Sequence, residues 1–186
     1  MKISTDFAIP LPPQEAYRFL LDLEQVAPCV PGGELGPPAE DGSHPARVTV
    51  RLGPMRLVYD GSLWVAERDD AGRRAVLRAK ARETGSPGSL EASMTMRVTP
   101  NGEGSRVDIL TELELAGRAA RMGRGIVDEV ARRLVAEMAS CLEALFAERG
   151  DGPEAPAAAA PRISGIKLLL RAVAGRLRRI GRKGER

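Results

Sequence analysis

The one histidine of this chain, His44, stands in the segment AEDGSHPAR beside Pro45, with no serine or cysteine nucleophile motif and no metal partner nearby. It is read as a surface-loop residue rather than a general base. No HExxH, GxSxG, P-loop or GxGxxG spacing occurs. PGGELG at 31–36 has the glycine content of a phosphate loop, but it follows a helical segment and a proline instead of opening a helix, so phosphate binding is not expected. Asp22, Glu24, Asp128 and Glu129 have the chemistry of acids and bases, yet their placement on helical segments suits solvated faces and caps. Cys29 and Cys141 lie far apart and belong to no CxxC or Cys/His cluster, so each is read as a small buried hydrophobe in a reducing compartment. These residue types assign no catalytic group and no metal site, and they point away from an enzyme.

The apolar side chains point to a different chemistry. The expected inner face of the fold holds Phe7, Phe19, Met55, Leu57, Tyr59, Met94, Met96, Met122, Ile126, Val130 and Met138, in a chain with only 3% aromatic residues. Methionine adapts to varied apolar shapes, and a concave site with few polar groups suits a prenylated or otherwise greasy ligand. A filled core is the competing reading of the same residues. Gly117, Gly123 and Gly125 allow close backbone approach or local mobility at the entry to the last helix, which makes that end a portal or a plain turn.

Those side chains need elements to position them. Ile3, Thr5, Phe7 and Ile9 alternate with Ser4, Asp6 and Ala8 as in a strand with one buried face, and Pro10, Pro12 and Pro13 end it. PQEAYRFLL at 13–21 opens with proline at a first helical position and predicts a short helix; a second follows near 23–28 and stops at CVPGG. From Val48 the apolar residues alternate through five strands, separated by turn signals at Gly53–Pro54, 69–72, 85–88 and 100–104. Arg78, Lys80, Arg82, Arg97, Asp108, Glu112 and Glu114 take the opposite parity, so the antiparallel sheet is buried on one face and wet on the other. After Gly117 the period becomes helical: Met122, Ile126, Val130, Leu134, Met138, Cys141 and Leu145 recur at spacings of three and four. A helix of about 25 residues spans roughly 37 Å, enough to cross the face of a curved sheet. The order is β-α-α-β-β-β-β-β-α, an α+β domain over 1–147.

An Ala/Pro-rich linker is expected over 148–162 and a basic amphipathic helix over 163–186. Ile163, Ile166, Leu169, Leu170, Val173, Leu177 and Ile180 fall within about 100° of arc at helical spacing. Lys167, Arg171, Arg178, Arg179 and Arg182 take the other side. Residues 162–186 hold nine Lys/Arg against Glu185 alone, while the rest of the chain carries 19 basic and 24 acidic side chains. The tail therefore seeks an anionic membrane surface, with a partner-protein groove as the alternative, and with no stacking aromatic it is not read as a nucleic-acid binder. The first residues show no apolar secretory core and no run approaches the roughly 20 apolar residues that span a bilayer. The expected location is the cytoplasm, peripheral on the cytoplasmic face of the cell membrane.

Three segments then carry a family resemblance over residues 3 to about 147: LDLEQVAPCVPGG at 21–33, RVTVRLGP at 47–54 followed by Gly61, and LAGRAARMG at 115–123. Together they resemble the CoxG family, named for the G component of carbon monoxide dehydrogenase, within the helix-grip or START-like (SRPBCC, Bet v 1-like) superfamily. The resemblance implies a curved antiparallel sheet around a long C-terminal helix. It also implies a non-catalytic, membrane-associated carrier for an isoprenoid quinone such as menaquinone or ubiquinone, linking a molybdenum hydroxylase of the carbon monoxide dehydrogenase type to the membrane quinone pool. A recruitment or assembly factor with a filled core is the alternative. A START-like enzyme is the second alternative, and it would need polar groups in the cavity, for which Tyr59, Thr111 and Arg133 are the candidates.

Overall fold

The computed structural model describes residues 1–150, with side chains through Phe146. Strand β1 (Lys2–Ile9) leads into helix α1 (Pro13–Leu21), with proline in its first turn, and then into the single-turn α2 (Leu23–Val26). The Asp22 carboxylate caps α2 by accepting the Gln25 amide. A 3₁₀ turn (Ala27–Cys29) follows, and then β2 (Gly33–Leu35), β3 (His44–Leu52), β4 (Met55–Asp69), β5 (Arg74–Glu83), β6 (Ser89–Asn101) and β7 (Gly104–Ala116). A second 3₁₀ turn (Ala119–Met122) precedes α3 (Arg124–Gly150). Helix α3 continues to Gly150, past the 148 at which the linker was expected to start, and the rest of that expected linker lies outside the described residues.

All seven strands pair antiparallel in one sheet ordered β1-β7-β6-β5-β4-β3-β2. The four turn signals lie at the four hairpins between β3 and β7. One strand more is present than the alternation predicts: β2, only three residues long, pairs Gly33–Leu35 with Val48, Arg47 and Ala46. His44, expected in a loop, opens β3 opposite Leu63, and its Nδ1 lies 3.0 Å from the Gly36 carbonyl.

The sheet curls into a half-barrel for local reasons. At Gly61 a Cβ would stand 1.9 Å from the Lys80 carbonyl oxygen and 2.5 Å from the Ala81 Cα, so β4 and β5 approach there closely enough to exclude any side chain. Four residues on, the register slips between Val65 and Glu67, a bulge that adds twist. Helix α3 lies against the concave face, touching β1 on one side and β3 on the other.

Packing on that face is split in two. One core gathers Phe7, Ile9, Tyr17, Phe19 and Val107 with Ala139, Leu142 and Phe146 from the C-terminal half of α3. The Phe19 and Phe146 rings meet edge to face at 4.8 Å, and the Tyr17 hydroxyl donates to the Arg74 carbonyl at 3.1 Å. A second core holds Leu52, Leu57, Tyr59 and Ala119, with Met55, Leu115, Met122 and Val130 packed against it.

The cysteines correct the sequence reading. Cys29 and Cys141 are bonded in a disulfide with their Cα atoms 5.4 Å apart, across a sequence separation of 112. The 3₁₀ turn carrying Cys29 packs on α3 and brings the two within bridging distance, which their spacing along the chain could not indicate.

Candidate functional site

Between the two cores the concave face is not filled. A cavity of about 350 Å³ lies there, walled by β3 to β7, by the middle of α3, and by the segment from α1 to β2. Its emptiness follows from side-chain size. The inner face of β5 presents Ala79 and Ala81, β3 adds Ala46 and β7 adds Thr111, all too short to reach α3, while Leu134, Val135 and Met138 face them from the helix. Lining residues that also meet solvent are Val30, Glu34 and Arg47, so the cavity opens at the β2–β3 edge. Of the two readings of Gly117, Gly123 and Gly125, a portal or a plain turn, the cavity favours the turn: none of the three lines it, and Ala119 of the neighbouring 3₁₀ turn is buried in the second core.

Of the residues expected on the inner face, Phe7, Tyr59, Met94, Met96 and Met138 line the cavity. The other six do not. Phe19 packs in the first core against Phe146, and Leu57 is buried in the second with Met55, Met122 and Val130 around it. Ile126 is 40% exposed and takes no part, whereas Val127 beside it is buried. The cause lies at Gly123, where φ is +84° and the 3₁₀ turn ends, so Met122 and Ile126 do not share one helical stripe. Lining residues missed by the sequence reading include Leu20, Val26, Val30, Leu63, Leu77 and Leu90. The alanine alternation on β5 is the signal that could have marked the empty middle.

Two of the three polar side chains proposed for the interior, Tyr59 and Thr111, do line it. Arg133 does not; it is exposed and pairs with Glu137 one turn on, at 2.7 Å. Asp128 pairs likewise with Arg132 at 2.9 Å, and Glu24 and Glu129 are exposed, as solvated faces and caps require. Tyr59 is 2% exposed and its hydroxyl has no hydrogen-bond partner among the described residues. Burial first, and then the Glu83 carboxylate, push its pKa above the ordinary phenol value, with Arg118 opposing. Glu83 is a buried acid on the same face, opposite Tyr59 in the β4–β5 register. Its Oε1 accepts from Arg118 Nε at 2.9 Å and from Arg118 Nη2, and its Oε2 accepts from the Ser86 hydroxyl at 3.2 Å.

Among the described residues no cluster of three or more His, Cys, Asp or Glu could hold a metal ion, and no helix is long and apolar enough to cross a membrane. The expected membrane-binding residues, Ile163, Ile166, Lys167, Leu169, Leu170, Arg171, Val173, Leu177 and Arg178, lie outside the described residues.

The fold is shared with solved structures of low sequence identity. A conserved protein from Geobacillus kaustophilus superposes with a TM-score of 0.69 at 19% identity, covering 80% of this chain and 96% of that one. The ZhuI aromatase/cyclase from Streptomyces sp. R1128 gives 0.57 at 12% identity, over 84% and 99%. A START superfamily protein from Mycobacterium smegmatis gives 0.52 at 12% identity, over 80% and 98%. A search of curated proteins found no significant match. The sequence itself is more specific than these folds: residues 6–146, from β1 through the buried Phe146 of α3, match the family of the carbon monoxide dehydrogenase G component (CoxG), and the chain belongs to that family.

Proposed function

We propose that this protein is a non-catalytic carrier that takes a hydrophobic ligand, an isoprenoid quinone, into the half-barrel and links a molybdenum hydroxylase of the carbon monoxide dehydrogenase type to the membrane quinone pool. The observation that carries the reading is the apolar cavity between two packed cores, at about 350 Å³ within the range of small-molecule sites. Its walls fit the cargo: aliphatic and methionine side chains suit a prenylated ring, and the opening at the β2–β3 edge lets a longer chain leave the site. Family membership supports the partner. The basic, apolar-striped sequence of 163–186 supports attachment to anionic lipid on the cytoplasmic face, next to the bilayer that stores the cargo.

Mass spectrometry of a lipid extract of the protein purified from its native host tests this. A bound quinone is the expected result. An extract without quinone from protein that still captures the hydroxylase would replace the carrier with a recruitment factor, and turnover of a small substrate would replace it with an enzyme.

A further inference from the structure

The strand register sets like charges directly opposite each other at Asp6–Asp108, Arg51–Arg56, Arg74–Arg97 and Glu91–Glu114, an arrangement that costs stability. All but one of these pairs carry a counter-ion. Arg106 reaches Asp6 at 3.3 Å and Asp108 at 2.9 Å, Glu67 takes Arg74 at 3.4 Å, and Lys80 takes Glu91 at 3.2 Å. Arg51 and Arg56, which flank the β3–β4 hairpin, are both exposed and form no ion pair among the described residues. The same holds for Arg121 and Arg124 in the turn that leads into α3. That turn lies beside the hairpin, because Ala119 and Met122 pack in the second core with Leu52 and Met55. Both turns project into solvent: a Cβ at Gly53, Gly123 or Gly125 would meet nothing within 4 Å.

We propose that this end of the domain is a seat for an anionic bilayer, in which Arg51, Arg56, Arg121 and Arg124 meet lipid phosphates and Ile126 enters the headgroup layer. The seat rests on the membrane attachment proposed above and adds to it a contact made by the domain rather than by the tail. The planar guanidinium fork matches phosphate oxygens, and a lipid phosphate supplies the counter-charge that the Arg51–Arg56 pair lacks within the fold. Ile126 favours lipid over an acidic protein surface, because it is 40% exposed beside these cations, the mixture of apolar and basic side chains that the headgroup boundary accepts. The edge where the cavity opens has the opposite character: residues 19–46 contain Asp22, Glu24, Glu34, Glu40 and Asp41 and no Lys or Arg. An anionic bilayer repels that edge and attracts the arginine end, so charge alone orients the domain. Each cation near such a surface strengthens partitioning about fivefold, so the four alone hold the domain only at millimolar lipid and the tail remains the anchor.

Hydrogen–deuterium exchange of the full chain, free and on vesicles of phosphatidylglycerol and phosphatidylcholine in equal parts, tests the seat. Exchange over 51–56 and 118–127 should slow on the vesicles, with no change at the β4–β5 and β6–β7 hairpins at the other end of the sheet. In sedimentation with the same vesicles, Arg51→Gln with Arg56→Gln should bind about 25-fold more weakly. Arg78→Gln with Arg97→Gln removes the same charge from exposed positions elsewhere on the sheet and should bind as wild type does. Thermal melts of the first double variant should show no loss of stability, since a like-charge pair is relieved. Vesicle binding without protection of either segment, or an equal fall in both double variants, overturns the seat and leaves the tail attachment standing. Protection by soluble poly-glutamate and not by vesicles overturns the lipid assignment in favour of an acidic protein surface. A full chain that does not bind the vesicles at all removes both seat and tail.

Discussion

Breaking the Cys29–Cys141 bond should destabilise the domain and loosen the edge at which the cavity opens. The bond closes a loop with a sequence separation of 112, for which the chain-entropy relation gives about 4.8 kcal/mol at 25 °C. Losses on removing native disulfides run at about 2–5 kcal/mol, so the loop places this one near the upper end. For a domain of this size each kcal/mol moves Tm by about 2–4 °C, and the full effect is a fall of about 10–19 °C. Cys29 ends the 3₁₀ turn, Ala27 of that turn and Val30 and Pro31 after it wall the cavity, and Cys141 lies one turn beyond Met138, which also lines it. Thermal melts of the oxidised protein, the protein reduced under denaturing conditions and refolded in reductant, and Cys29→Ala/Cys141→Ala should therefore show a large drop for the last two, with faster exchange of a bound naphthoquinone. Two titratable thiols in the unreduced protein, or a fall below about 1 kcal/mol, would refute the reasoning.

Met94→Trp should block ligand uptake with little loss of stability because the indole enters existing space, whereas Ile126→Trp, on an exposed position of α3, should leave uptake intact; ligand titration and melts of both check this. Leu142→Ala, at a position with 0% exposure in the first core, should cost about 2–5 kcal/mol in urea unfolding. Arg47 and Thr84 hydrogen-bond the Asp60 carboxylate and hold its pKa below the usual range, so its contribution is present above the unfolded-state pKa and is lost as pH falls through the folded-state value; in Arg47→Gln an NMR titration should find that pKa raised. The intact chain should sediment with anionic liposomes and be partly released by salt, and Ile166→Glu with Leu170→Glu, or deletion of 151–186, should abolish binding while the domain stays folded; equal pelleting of intact and deleted protein would reject the tail as anchor.

What could be read in the sequence was whatever repeats along it. From Val48 to Leu115 the alternation runs through five strands with one wet face, and each hairpin carries its own turn residues, so strand order and inner face follow from local chemistry. Features set by contact between distant segments could not be read that way. β2 has three residues, too few for a period, and exists because β3 offers an edge to pair with. The stripe through Met122 and Ile126 failed because Gly123 interrupts the helix between them, and the true face begins at Val127. The cavity was the hardest case. Period and polarity say which side chains point inward, but not whether they meet anything, and that depends on volume: Ala79 points inward just as Leu57 does, and only the leucine has neighbours that fill the space around it.

Helix α3 shows how a hollow domain of this size can remain folded. A fully packed helix would bury one face along its whole length, but here its middle turns, at Leu134, Val135 and Met138, border the cavity and give up part of that burial. The loss has to be offset at the ends. At the C-terminal end Ala139, Leu142 and Phe146 are buried against α1 and the sheet, and the disulfide fixes the same stretch covalently to the 3₁₀ turn. At the N-terminal end Val130 packs beside the second core, which the Ala119–Met122 turn closes. Holding the helix at both ends leaves the middle free of packing duty, so the lining can consist of alanine and methionine without the sheet collapsing onto it.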